Sequence, residues 1–191
     1  MWSFSADKVQ TFAYIPNMFT PTECHDIIDV ANTLPKVEGY TGTYEKNLDT
    51  KARKNKIAWL RPGIHLSSEY CNKLAEAIMQ LNNEHFNFDI WGLTGDVQFT
   101  EYSEYEDHYT LHTDKMYDGV VRKLSAIVQL SPPENYTGCE LELHVQDTPI
   151  IMPKYQGTLI VFPSYILHKI TPLIKGTRHS LVAWIGGPQF K

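Results

Sequence analysis

The sequence has little cysteine, no long apolar run and no excess of basic charge, and each shortage excludes something. Cys24, Cys71 and Cys139 are odd in number and widely spaced, which argues against a disulfide framework and against a cysteine zinc cage. A reducing, cytoplasmic setting suits them. No stretch approaches the roughly 18 to 20 apolar residues needed to cross a bilayer. The opening MWSFSADKVQ lacks a basic region followed by an apolar one, so neither membrane insertion nor export is expected. A formal charge of −5 leaves no general field to hold nucleic acid. The one basic cluster, Lys51, Arg53, Lys54 and Lys56, reads as a solvated loop entering a strand. Gly and Pro, 11 of each in 191 residues, are at ordinary levels, which excludes collagen-like repetition and low complexity.

What is present is material for a core. A chain that is 42% hydrophobic over 191 residues suits one domain spanning 1–191, with helical support over about 1–90 and a β core over about 91–187. Thr20-Pro21-Thr22-Glu23 has the form of a helix start, with Thr20 as cap, Pro21 in the first turn and Glu23 placed to reach back. Cys24, Ile27, Ile28 and Ala31 then recur at the spacing of one buried stripe, which predicts a helix to about Asn32. A second helix is predicted from about Ser68 to Asn82, capped by Ser67 or Ser68, with Leu74, Ala75, Ile78 and Leu81 inward. From residue 96 the texture becomes short segments rich in Val, Ile, Tyr, Phe and Thr, cut by Gly, Pro, Asn and Asp. Strands are expected near 96–102, 108–114, 121–130, 139–145, 157–162, 166–171 and 178–185, with turns at 118–119, 132–133, 138, 154–157 and 172–176. Helices first and strands afterwards give an α+β, mainly β class: a jelly roll with helices packed on its outside.

Eight histidines are the first candidates for chemistry. In His112-Thr113-Asp114, strand alternation puts the imidazole and the carboxylate on one face and Thr113 on the other. Such a triplet alone proves little. Further on come His168 and, ten residues later, Arg178, on strands that a hairpin through Pro172 and Gly176 would fold together. Alternation places Arg178, Ser180, Val182 and Trp184 on one face and His179, Leu181, Ala183 and Ile185 on the other. An arginine on an apolar inner face is costly unless it meets an anion, either a protein carboxylate or a ligand. Two histidines and one carboxylate can occupy one face of an octahedral iron and leave three positions open. Zinc, manganese or nickel could take the same ligands, although no HExxH helix supports a zinc hydrolase.

Jointly these residues resemble the Fe(II)/2-oxoglutarate-dependent dioxygenases, and within them the prolyl-4-hydroxylase-like family. Tyr102 stands ten residues ahead of His112, as in prolyl hydroxylases. Tyr136-Thr-Gly-Cys-Glu-Leu-Glu-Leu143 is similar to the family's "GGEL" strand, with Cys139 in place of the second glycine. His168-Lys-Ile-Thr-Pro172-Leu-Ile-Lys-Gly176-Thr-Arg178 follows its "H-x-V-x-P-V-x-x-G-x-R" ending, and the similarity spans roughly residues 14 to 187. The resemblance implies a double-stranded β-helix whose His112, Asp114 and His168 hold Fe(2+), with 2-oxoglutarate and O2 as co-substrates and ascorbate as reductant. Arg178 would pair with the far carboxylate of 2-oxoglutarate, with Tyr102 and Ser180 beside it. Gln129 stands where some members have a second tyrosine contacting that carboxylate, and Trp184 would wall the metal pocket. The implied substrate is a prolyl residue of a peptide or protein, gripped by the polar loop 35–55 with Tyr40 and Tyr44. A free amino acid, another small molecule, or a non-catalytic binding module with a vestigial metal site are the rival readings. Neither nucleic acid nor membrane is an expected partner. His108 is the one competing histidine on the strand of His112.

Overall fold

Thr20 opens the first helix as the sequence indicates. Its hydroxyl accepts the Glu23 N–H at 3.2 Å, and the Glu23 carboxylate accepts the Thr20 N–H at 2.6 Å, so two donors that the helix itself cannot satisfy are paired. In the computed structural model, which describes residues 10–41, 49–117 and 119–190, a short strand β1 (Ala13–Ile15) precedes this helix, α1 (Pro21–Asn32). Three more short strands follow: β2 (Val37–Glu38), β3 (Arg53–Lys54) and β4 (Lys56–Leu60). Helix α2 (Ser68–Leu81) is capped by Ser67, whose hydroxyl accepts the Tyr70 N–H. The stripes Cys24, Ile27, Ala31 and Leu74, Ile78, Leu81 are buried.

The β-rich half then runs β5 (Gly92–Leu93), β6 (Val97–Tyr102), β7 (His108–His112), β8 (Met116–Tyr117) and β9 (Val120–Gln129). It continues through β10 (Tyr136–Gly138), β11 (Leu141–Leu143), β12 (Ile150–Ile151), β13 (Leu159–Pro163) and β14 (His168–Ile170). It ends with β15 (Leu173–Gly176) and β16 (Arg178–Gly186). The major sheet has the order β1-β13-β9-β16-β6-β4-β2, with β5 beside β16 and β8 beside β9, and the minor sheet has the order β12-β11-β14-β7-β3. All recorded pairings within them are antiparallel. This is the jelly roll expected.

The two faces of the major sheet are both buried, against different partners. Leu181, Ala183 and Ile185 of β16 join Phe99, Leu124, Ala126 and Val128 in one core with the helical stripes. Ile127, Ile160 and Phe162 face the other way, into a smaller core with Leu141, Leu143 and Ile170 of the minor sheet. Burial on both faces is why β13 reads as a continuous apolar run rather than as an alternating one.

Three expectations need correction. Residues 173–176 of the expected turn 172–176 are a strand: Leu173 is buried in the inner core, and β15 pairs with β10. Consequently β14 and β16 form no hairpin; one lies in the minor sheet and the other in the major sheet, facing each other across the inner core. The basic cluster is not simply a solvated loop, because Arg53 is buried in β3 and pairs against β7. The strands β1 to β4 also show that the first sixty residues supply sheet edges as well as α1. Residues 42–48 of the loop 35–55, including Tyr44, and Asp118 of the turn 118–119 lie outside the described residues.

Gly157 joins the helical layer to the sheets. Its carbonyl accepts the Phe19 N–H at 3.1 Å, its φ is +76°, and a Cβ there would stand 1.8 Å from the Phe19 carbonyl oxygen. Gly63 has the same backbone sign, φ +75°, with open space around it. Gly157→Ala should therefore cost clearly more stability than Gly63→Ala, for which backbone strain alone predicts about 1 kcal/mol. Denaturant unfolding of the two variants measures the difference; equal losses would show that the close approach at Phe19 is unimportant.

Candidate active site

The inner face of the major sheet is a grid fixed by register. Trp184 lies opposite Ser125, Val182 opposite Ile127 and Gln98, Ser180 opposite Gln129 and Thr100, and Arg178 opposite Tyr102. Opposed residues of antiparallel strands share a face, so all of these are on the side of the minor sheet. Trp184 and Arg178 are six positions apart along β16, a backbone span of about 20 Å at ~3.3 Å per residue. Between the sheets lies a cavity of about 250 Å³. Its walls include His112, Asp114, His168, Arg178, Tyr102, Ser180 and Trp184.

The minor sheet brings the two histidines together. His168 is the direct cross-strand partner of His112, and their ring centres are 4.1 Å apart. Asp114 follows two residues beyond the end of β7, where its N–H donates to the Ser164 carbonyl at 2.8 Å. His112 Nε2 is 3.7 Å from Asp114 Oδ1 and His168 Nε2 is 3.5 Å from Oδ2, and one ligand atom from each of the three residues falls within 4.8 Å of the others. No other such group of histidine, cysteine and acid side chains occurs among the described residues. Thr113 departs from the strict alternation expected of a strand, since β7 has already ended and Thr113 also lines the cavity.

Hydrogen bonds decide which nitrogen each ring offers. His112 Nδ1 lies 2.7 Å from the Thr110 carbonyl and His168 Nδ1 lies 2.9 Å from the Ile166 carbonyl. A carbonyl only accepts, so both Nδ1 atoms carry hydrogen, and it is the Nε2 atoms that face Asp114. Burial, reinforced by neighbouring His168, pushes the His112 imidazole down to about 4, which keeps it neutral and able to ligate. Burial alone would raise the Asp114 carboxyl, but His168, His112 and the Ser125 hydroxyl, which donates to Oδ2 at 2.8 Å, hold it below its ordinary value. Two imidazoles and one carboxylate, with a ligand atom of each within 4.8 Å of the others, suit a divalent cation with open positions.

At the other end of the β16 row, Arg178 is 1% exposed. Its Nε and Nη2 donate to Gln129 Oε1 at 3.2 and 2.9 Å, while its Nη1 is buried without a hydrogen-bond partner. The protein carboxylate that would make this an internal salt bridge is absent among the described residues. Tyr102 sits beside it, its ring centre 5.5 Å from the guanidinium carbon, and burial pushes its phenol up to about 12, so it stays protonated. Gln129 shares the inner face yet is not on the cavity wall: its amide is taken by Arg178 and by the Pro153 carbonyl.

Several lining residues escaped sequence reading. Tyr109 stacks on His112 with ring centres 3.6 Å apart, and the Arg53 guanidinium lies 4.6 Å from the Tyr109 ring centre. Arg122 lines the cavity with its guanidinium carbon 3.9 Å from the centre of the Trp184 ring. Ser125 carried one visible signal, a hydroxyl in phase with Ile127 and Gln129 within the run 124–128 of β9, where the other four residues are apolar. His108 is excluded as a ligand, because both its nitrogens meet carbonyls, of Glu106 and Lys51.

Comparison with known proteins bears on this geometry from two directions. A PKHD-type hydroxylase of Hyphomonas neptunium is 38% identical over 84 residues, 41% of this chain and 38% of the relative, so the match spans less than half of that protein. Another, from Crocosphaera subtropica, is 24% identical over 179 residues, 90% of this chain and 76% of the relative. A Trichoplax adhaerens prolyl hydroxylase, solved with a hypoxia-inducible-factor peptide, superposes with a TM-score of 0.76 at 18% identity, covering 93% of this chain and 84% of that one. The chain resembles PKHD-type hydroxylases in sequence and a prolyl hydroxylase in fold. Sequence relatives that are hydroxylases and a shared jelly roll support the family that the motifs suggest. No family model matches the chain. Among the described residues no helix is long and apolar enough to cross a membrane.

Two measurements probe the triad. Ser125→Ala removes the hydroxyl that orients Asp114, and should weaken Mn(II) binding to the protein by about 10- to 100-fold while leaving its melting temperature little changed; unchanged Mn(II) affinity would sink that role. The metal-free protein should also lose stability as pH falls from 6.5 towards 4.5. There the unfolded chain protonates histidines that burial keeps neutral in the fold, His112 and His179, before most carboxylates titrate. Saturating Mn(II) should raise the melting temperature and leave that slope at least as steep, because a bound metal keeps the ring nitrogens of the folded state free of protons; melting temperature against pH, with and without the metal, measures both.

Proposed function

We propose that the protein is an Fe(II)- and 2-oxoglutarate-dependent dioxygenase that hydroxylates a prolyl residue in a peptide or protein. The observation that carries the reading is Arg178: a buried guanidinium with no carboxylate partner among the described residues and one unbonded nitrogen, opening on the same cavity as the His112, Asp114 and His168 cluster. A dicarboxylic keto acid has one end for each. The donor set fits a ferrous ion, because two imidazole nitrogens and a carboxylate are ligands it accepts on one face. Bound together, iron, 2-oxoglutarate and dioxygen supply the oxidation that inserts one oxygen atom into a C–H bond, with release of succinate and CO2.

The chain's own residues do the rest. His112, Asp114 and His168 would hold the ion, and the carbonyls of Thr110 and Ile166 keep the two rings turned towards it. Arg178 would take the far carboxylate, with Ser180, Thr100 and the protonated Tyr102 hydroxyl lining the same end of the cavity. Trp184, Trp59 and Tyr40 wall the cavity with aromatic surface, which excludes water and offers flat contacts for a pyrrolidine ring. Trp184, Trp59, Tyr40 and Arg122 also line a neighbouring groove with Thr94, Asp96 and Val120, an arrangement suited to an extended peptide on either side of the target residue. The peptide held by the Trichoplax enzyme supports that substrate class. Ascorbate would serve as reductant, and the three unpaired cysteines suit the cytosol.

The reading is tested by incubating the protein with Fe(II), ascorbate, 2-oxoglutarate and a library of proline-containing peptides. Succinate release and a peptide gain of one oxygen, seen by mass spectrometry, are the expected result. His112→Ala and Asp114→Ala should abolish both, and Arg178→Ala should chiefly raise the KM for 2-oxoglutarate, by the equivalent of roughly 2 to 4 kcal/mol. Hydroxylation of free amino acids instead of peptides would move the substrate class, and absence of succinate under every condition would favour a binding module.

A further inference from the structure

Gln129 is unusual among the polar side chains of the inner face, because both ends of its amide are committed sideways rather than to the cavity. Oε1 accepts from Arg178 Nε and Nη2 at 3.2 and 2.9 Å, and Nε2 donates to the Pro153 carbonyl at 3.1 Å. The amide has only one workable orientation. A guanidinium only donates and a carbonyl only accepts, so exchanging oxygen and nitrogen would set donor against donor and acceptor against acceptor. The backbone is fixed as well: the Gln129 N–H donates to the Thr158 carbonyl at 3.0 Å, and its own carbonyl accepts the Gly157 N–H at 2.7 Å. The residue is 1% exposed, so water does not compete for these bonds.

This arrangement fixes both the direction and the charge of Arg178. Nε and Nη2 make up the side edge of the guanidinium, and Gln129 occupies that edge. The end edge, formed by Nη1 and the second Nη2 hydrogen, is left, and Nη1 has no partner. An end edge can still receive two carboxylate oxygens. Because glutamine is neutral, the guanidinium keeps its full positive charge for whatever anion arrives; a carboxylate in the same place would consume it.

We propose that Gln129 is a positioning residue that turns Arg178 end-on into the cavity, and so sets both the affinity for a dicarboxylic keto acid and the chain length accepted. The inference rests on the 2-oxoglutarate reading given above. An end-on guanidinium held by a rigid amide stands at one depth, and the ligand must span from that depth to the metal. A dicarboxylate longer by one methylene is therefore rejected as long as Gln129 holds the guanidinium in place.

Calorimetric titration of the full chain loaded with Mn(II) tests this without turnover. Gln129→Glu should weaken 2-oxoglutarate binding at least tenfold while Mn(II) affinity stays within twofold. Gln129→Leu, which keeps volume and neutrality but offers no acceptor, should weaken 2-oxoglutarate less, and should lose most of the preference for 2-oxoglutarate over 2-oxoadipate. The leucine variant carries the test if the glutamate variant does not fold. Wild-type affinity and selectivity in both variants would overturn the role of Gln129 alone. Parallel loss of Mn(II) binding would overturn it too, since that marks general damage to the fold. If the unaltered Mn(II)-loaded protein binds no 2-oxoglutarate, the functional reading falls and this inference falls with it.

Discussion

A sheet buried on both faces has to keep two sets of side chains apart, and the function proposed for this chain depends on that separation. Every second residue of β16 goes to the helices as Leu181, Ala183 and Ile185, and the alternate residues go to the cavity as Arg178, Ser180, Val182 and Trp184. A slip of one residue in register would put the guanidinium into the helical core, where no anion could reach it. The pairing of β16 with β6 over residues 178–182 and with β9 over residues 180–186 opposes such a slip. The helices matter to the site for the same reason: by covering the outer face they make the major sheet rigid enough to present a fixed row of polar groups on the inner one.

The cavity brings two opposite electrostatic problems into one space. Asp114 is a buried carboxylate without a cation, and Arg178 is a buried guanidinium without an anion. Among the described residues no ion pair joins them: Asp114 lies against the two imidazoles, and Arg178 against Gln129. Partial relief is local: Ser125 and the flanking imidazoles for Asp114, Gln129 for Arg178. Burying charges with such incomplete pairing lowers the stability of the empty protein. It is retained at little net disadvantage only if a metal and an anionic ligand complete both ends when the site is loaded, which is why the pair together argues for a ligand more strongly than either does alone.

Much of this was legible in the sequence, for identifiable reasons. The helix α1 announced itself through Thr20, Pro21 and Glu23, signals that act within one turn. Arg178 was conspicuous because a permanent charge broke an apolar face. What escaped was non-local. The hairpin expected between 166–171 and 178–185 failed because Leu173 is drawn into the inner core and pairs with β10, a contact that turn-forming Pro172 and Gly176 do not foreshadow. Arg53 was misread as solvated because its burial depends on Tyr109, more than fifty residues away, and on the Asn55 amide that accepts its Nε at 3.0 Å. Gln129 could be placed on the right face, but nothing local indicated that its amide would turn to Arg178 and Pro153.

The misread arginine shows how the early part of the chain enters the site. Arg53 stacks over Tyr109, Tyr109 lies nearly parallel to His112 with rings 17° apart, and His112 meets His168 across the strand pair. Backbone bonds tie the same segment to β7: Thr110 N–H donates to the Ala52 carbonyl at 2.9 Å, and Arg53 lies opposite Tyr109 in register. Gly39 completes the join, since a Cβ there would fall 1.9 Å from the Asn55 amide oxygen and 2.6 Å from Arg53 Nε. The crossing from β3 to β4 therefore carries one strand edge into each sheet and braces the ring that offers Nε2 to the metal. A jelly roll without this crossing would still have the three ligands in sequence, but the His112 ring would lose the stack that limits its rotation.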